Sequence, residues 1–123
     1  MTGRPLVGVV DDDESVRESL PELLDLLGFD ARAFASAEEF LGCGFLQNTR
    51  CLVLDISMPG MSGPELYRGL LARGLAIPTI FISAHINENV RSDLMKQGAI
   101  ACLLKPFSEK ELGHALQTAV GVP

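Results

Sequence analysis

The chain has 123 residues, the length of one domain, and its 47 % apolar and 21 % charged side chains exclude intrinsic disorder. Sixteen acidic against ten basic residues leave a formal charge of −6, which argues against direct binding of nucleic acid, because phosphate contacts need a basic face. No apolar run reaches the roughly 18 residues of a membrane span, Met1–Pro5 carry no signal-peptide core, and the odd, widely spaced Cys43, Cys51 and Cys102 read as buried thiols of a cytoplasmic protein.

Along the chain, short apolar runs alternate with helical patterns. The first strand candidate is Leu6–Val10. Val16, Leu20, Leu23, Leu24 and Leu27 then recur at helical spacing, and Gly28 follows as a stop signal. Asp30–Phe34 is a short strand candidate. Ser36 with Glu39 predicts a capping box opening a short helix that carries Phe40 and Leu41. Cys51–Leu54 is a continuous apolar strand. Ser62 with Glu65 predicts a second capping box, and its helix carries Leu66, Tyr67, Leu70 and Leu71, with Gly74 just past the end. Ile77–Ile82 is a β-branched strand, and a weaker helix over about Asn87–Gln97 is closed by Gly98. Ala101–Leu104 is the fifth strand. Ser108 opens the last helix, which places Leu112, Leu116 and Val120 on one stripe. Five β–α repeats with near-continuous apolar strands predict a parallel sheet covered on both faces, in one domain over residues 1–123.

Open parallel sheets bind ligands outside the carboxyl ends of their strands. Asp11, Asp12, Asp13 and Glu14 follow the first strand, Asp55 the third, Ser83 the fourth, and Lys105-Pro106 the fifth. Clustered carboxylates repel one another unless a cation is present, and hard oxygen ligands without His or Cys suit magnesium, with manganese as the alternative. An aspartate can accept a phosphoryl group as an acyl phosphate, with a metal ion and a lysine offsetting the charge of the transferring group. Taken singly, each residue has a plainer reading. A DDDE run is a solvated loop or a helix N-terminus complementing the dipole, a lone Asp a turn or cap, and Lys105 a solvated cation. His85 and His114 lack the ligand spacing of a metal site. The specificity lies in the set occurring on four of five strands.

The blocks Val9–Arg17, Leu52–Gly63, Ile80–His85 and Leu104–Phe107 resemble the receiver domain of two-component response regulators, over nearly the whole chain from Val7 to Val120. The local wording is similar to receivers that precede a helix-turn-helix output domain. The resemblance implies a flavodoxin-like (βα)5 doubly wound parallel sheet with strand order 2-1-3-4-5. It implies that Asp55 is the phosphoacceptor for a partner histidine kinase. It also implies that Asp12 binds magnesium directly, Asp11 mainly through water, and the Ser57 carbonyl completes the protein's share. Lys105, before a cis peptide bond to Pro106, would pair with the phosphoryl group. The Ser83 hydroxyl and the Ala84 amide would contact it, and Ser57 and His85 would tune its lifetime. A kinase would dock near Ser15, Ser19 and Glu22. Partners would read the fourth helix, fifth strand and fifth helix, and a phosphorylation-dependent homodimer is one expected outcome. Where the family often carries a rotating aromatic, three residues before the lysine, this chain has Cys102.

The function expected is a phosphorylation-controlled switch in transcription regulation, catalysing only its own phosphoryl transfer and dephosphorylation, and binding neither DNA nor membrane. A scaffold that is never phosphorylated would have lost site residues, and none is lost. An aspartate-dependent phosphatase would need a second aspartate where Ser57 stands. An FMN-binding protein would need a phosphate-cradling loop where the DDDE run stands.

Overall fold

The computed structural model describes residues 3–121. Five parallel strands, β1 (Leu6–Val10), β2 (Asp30–Phe34), β3 (Thr49–Asp55), β4 (Thr79–Ser83) and β5 (Ala101–Leu104), form one sheet in the order β2-β1-β3-β4-β5. They alternate with helices α1 (Glu14–Leu26), α2 (Ala37–Leu41), α3 (Gly63–Ala72), α4 (Glu88–Lys96) and α5 (Glu109–Val120). A 3-10 turn at Leu46–Asn48, absent from the sequence reading, leads into β3. The expected strand order and fold class are the ones found.

The period-2 alternation of a strand divides the core into two layers. On β3 and β4, Cys51, Val53, Ile80 and Ile82 pack with Leu20 and Leu24 of α1 and Leu112 and Leu116 of α5. Leu52, Leu54 and Phe81 face the other way, onto Phe40 of α2, Leu66, Tyr67 and Leu70 of α3, and Leu94 of α4. Gly8 on β1 leaves room for this second layer: a Cβ there would lie 2.9 Å from Leu52 Cδ2 and 3.3 Å from the Phe40 ring.

Three local expectations need correction. β4 starts at Thr79, not Ile77, because Pro78 has no N–H for the ladder; its carbonyl still accepts from Leu52 N at 2.9 Å. The Ser36 cap is half a capping box. Ser36 Oγ accepts from Glu39 N at 3.0 Å, but the Glu39 carboxylate turns back to Ala35 N at 3.3 Å. The boxes at Ser62 and Ser108 are complete. Of the three cysteines, Cys51 and Cys102 are buried and Cys43 is half-exposed.

Candidate functional site

The carboxyl ends of β1, β3 and β5 bring the predicted charged residues together, with β4 supplying Ser83 beside them. Asp11 stands where β1 ends, its own N–H donating to Phe34 O at 3.1 Å. Its side chain is fully buried, with Oδ1 accepting from Asp13 N at 2.9 Å. Asp13 caps α1 by accepting from Ser15 N at 2.9 Å. Asp12, between them, is exposed. The DDDE run therefore divides into a buried acid, an exposed acid, a helix cap and, at Glu14, the first residue of α1, and the solvated-loop reading fits only part of it.

Asp55 is the last residue of β3 and is 6 % exposed. Oxygen atoms of Asp11, Asp12 and Asp55 lie within 4.8 Å of one another. Lys105 reaches in from the end of β5. Its ammonium donates to Asp11 Oδ2 at 2.9 Å and lies 3.9 Å from Asp55 Oδ1. One lysine thus faces three carboxylates. Burial pushes the Asp55 carboxyl up to about 7, and the charge of Asp11 adds to the rise. Lys105 and the Ser57 backbone N–H pull it back down, while a hydrogen bond with the Asp12 side chain raises it. Burial works against the Lys105 ammonium too, but the Asp11 hydrogen bond and the charges of Asp11, Asp55 and Asp13 outweigh it and hold the pKa above the ordinary lysine value.

The donor set fits a hard divalent cation. Three carboxylates carry more negative charge than one lysine offsets, two of them are buried, and no histidine or cysteine shares the cluster. The Lys105–Pro106 peptide bond is cis, as the resemblance implied.

Ser83 is buried, and its hydroxyl is engaged locally: it donates to His85 O at 2.8 Å and accepts from His85 N at 3.3 Å. Ser57, Ala84 and His85 are exposed in the loops that follow β3 and β4. Cys102 is buried on β5, paired in register with Phe81.

Two positioning elements escaped the sequence reading. Glu38 of α2 accepts from Met61 N at 3.3 Å, tying down the loop that follows Asp55. Gly63 opens α3 flat against the end of β3, its N–H donating to Ile56 O at 3.1 Å. A Cβ on Gly63 would collide with the Asp55 carbonyl and stand 3.1 Å from Ile56 Cα. A glycine at a helix start directly after a capping serine was the available signal for that close approach.

Residues 7–117 match the family described as the response regulator receiver domain. The transcriptional regulatory protein TdiR of Thauera aromatica is 38 % identical over 116 residues, which cover 94 % of this chain and 51 % of that protein. Among solved structures, the response regulator StyR superposes with a TM-score of 0.86 at 47 % identity, covering 96 % of this chain and 60 % of that one. The crystal structure of FixJ-N gives 0.83 at 38 % identity, covering 94 % of this chain and 93 % of that one. The chain spans about half the length of the curated relatives it matches. No described helix is long and apolar enough to cross a membrane.

Proposed function

This chain belongs to the response regulator receiver family, and on that premise we propose that it is a signalling switch thrown by phosphorylation of Asp55. The observation that carries the reading is the convergence of Asp11, Asp12 and Asp55 within 4.8 Å, with Lys105 alone among them as a cation.

Asp55 is the nucleophile. A carboxylate oxygen forms a bond to the phosphorus of a phosphohistidine on a partner kinase. The P–N bond breaks, and the leaving imidazole nitrogen takes a proton from solvent. Asp11, Asp12, Asp55 and the Ser57 carbonyl would hold magnesium, or manganese in its place, and the ion supplies charge neutralisation for the phosphoryl oxygens. Lys105 lies 3.9 Å from the nucleophile already and pairs with the dianion once it forms. The Ala84 N–H and the Ser83 hydroxyl donate to it. For Ser83 this means leaving the carbonyl of His85, so phosphate contacts compete with a local turn, and that competition is the differential binding that shifts the two-state equilibrium. The catalysis is confined to the chain's own phosphoryl transfer and dephosphorylation.

By the relatives' length and names, the signal passes to an output module that regulates transcription, in a longer protein or a second one. A phosphorylation-dependent homodimer is one route for that signal.

The test is incubation with acetyl phosphate and magnesium, read by intact mass, with Asp55→Asn in parallel. Gain of one phosphoryl group by the native chain, absent without magnesium and absent in the variant, is expected. A native chain that gains none from acetyl phosphate or from its kinase is a scaffold, and the proposal fails.

A further inference from the structure

Helix α4 is held unevenly. It buries a single side chain, Leu94, close to its C-terminal end. Its N-terminal half, from Glu88 to Arg91, is exposed. The loop before it is held by the Ser83 hydroxyl donating to His85 O at 2.8 Å. At the other end, the Tyr67 hydroxyl of α3 donates to Gln97 O at 3.2 Å. Gln97 is the C-cap of α4, and the last carbonyls of a helix have no partner within it. Tyr67 supplies one from outside.

Tyr67 is itself well placed. It is 4 % exposed, and its ring meets Phe81 edge to face at 5.4 Å between centroids. Phe81 pairs in register with Leu54, the neighbour of Asp55, on one side and with Cys102 on the other. Phe81 is also two residues before Ser83 on the same face of β4. The cysteine at 102 has no ring to swing. The aromatic contact near α4 comes instead from α3.

We propose that Tyr67 is a positioning residue of the switch: its hydroxyl pins the C-terminal end of α4 to α3, so that release of the Ser83–His85 bond swings the N-terminal half of α4 about Gln97. This rests on the phosphorylation reading above. Arg91, inside the half that moves, makes a longer bond to β5, Nη1 donating to Cys102 O at 3.4 Å, and the swing gives that bond up.

Tyr67→Phe removes the hydroxyl and keeps the ring, so the packing on Phe81 is retained. Amide hydrogen exchange is measured by mass on the native chain and on the variant, each with and without acetyl phosphate plus magnesium, and intact mass reports phosphorylation separately. In the native chain, phosphorylation should speed exchange in residues 84–91 and leave 94–99 protected. In the unmodified variant, exchange in 94–99 should rise about five-fold, the effect of one neutral hydrogen bond, with β3 and α5 unchanged. Phosphorylation of the variant should then loosen α4 along its whole length. Equal exchange at 94–99 in the two unmodified proteins overturns the pin. A rise spread evenly over the whole chain makes Tyr67 a plain stability residue and overturns it as well. Phosphorylation that loosens 94–99 as much as 84–91 in the native chain overturns the pivot. A native chain that gains no phosphoryl mass from acetyl phosphate or from its kinase refutes the phosphorylation reading itself, whatever the exchange at 94–99 shows.

Discussion

Replacing Asp55 by Asn should stabilise the metal-free protein at alkaline pH. The buried carboxyl titrates at about 7 in the fold, against an ordinary value of 3.8. Between those two values the folded chain holds a proton that the unfolded chain has released, so stability falls as pH rises from about 4 to about 7. Below that window the neutral carboxyl costs nothing extra; above it the full penalty of a buried charge beside Asp11 is present. A difference of about three pKa units corresponds to a ceiling of about 4 kcal/mol. Asn keeps the shape and removes the charge; the attraction of Lys105, 3.9 Å away, is already contained in that ceiling, and solvent screening around the site reduces it. A net gain of about 1–3 kcal/mol at pH 8 follows, or a rise of about 4–12 °C in Tm for a domain of this size. Thermal unfolding with a chelator, native against Asp55→Asn, measures it from pH 4 to pH 8. The two curves should meet near pH 4 and separate steadily above it. A gap that does not depend on pH, or a variant less stable at pH 8, would show that the buried charge of Asp55 does not destabilise the fold.

Magnesium should raise the native Tm at pH 8 and narrow the gap to Asp55→Asn, since the ion binds the carboxylate form; an equal rise in both proteins would place the ion elsewhere. Gly63→Ala should cost about 1–3 kcal/mol in denaturant melts, because the new methyl meets the backbone of Asp55 and Ile56, and it should slow acetyl-phosphate labelling in the fraction that remains folded. A thiol reagent at pH 8 should modify half-exposed Cys43 first. Cys51, fully buried with its thiol pushed up to about 12 by burial, should react only on unfolding, and a mass spectrum with early label on Cys51 would contradict the packing.

Much of the fold was legible because local and global signals agree. The apolar runs of β1 and β3 are unbroken, and the Ser62 and Ser108 boxes sit where their helices start. Even α1 was legible, although Pro21 lies inside it; the spacing of Leu20, Leu23, Leu24 and Leu27 outweighed a local helix breaker, as tertiary packing commonly does. Errors came where one backbone group decides the outcome. Pro78 lacks the donor that would extend β4, and Glu39 chose Ala35 N over the N–H of its cap. The candidate site was legible as a set of residue types at strand ends. Its internal order was not: burial separates Asp11 from Asp12, adjacent in the sequence, and only the folded chain puts Lys105 on Asp11, 94 positions away. The contacts of Gly63 and Tyr67 were hidden for the same reason, since both depend on how α3 lies against the sheet.

The same arrangement that destabilises the resting site is what makes a switch possible. A carboxyl held near 7 is a strained charge in the fold at physiological pH, and removing that strain favours any ligand that brings positive charge to it. On the proposed function, a divalent cation held by Asp11, Asp12 and Asp55 would supply that charge and favour the ionised form of Asp55. Phosphorylation, as proposed, would replace the single charge by a dianion that Lys105 and the Ser83 hydroxyl could both satisfy. To donate to it, Ser83 would have to give up its bond to the carbonyl of His85, worth about 1 kcal/mol in the resting state. A charge-assisted bond to the dianion is worth about twice that, so the exchange runs downhill by only a small margin. A small margin is what a reversible signal requires: the resting loop would re-form once the acyl phosphate was hydrolysed, and α4, held by Leu94, the Arg91–Cys102 bond and the Tyr67–Gln97 bond, would offer slight resistance in either direction.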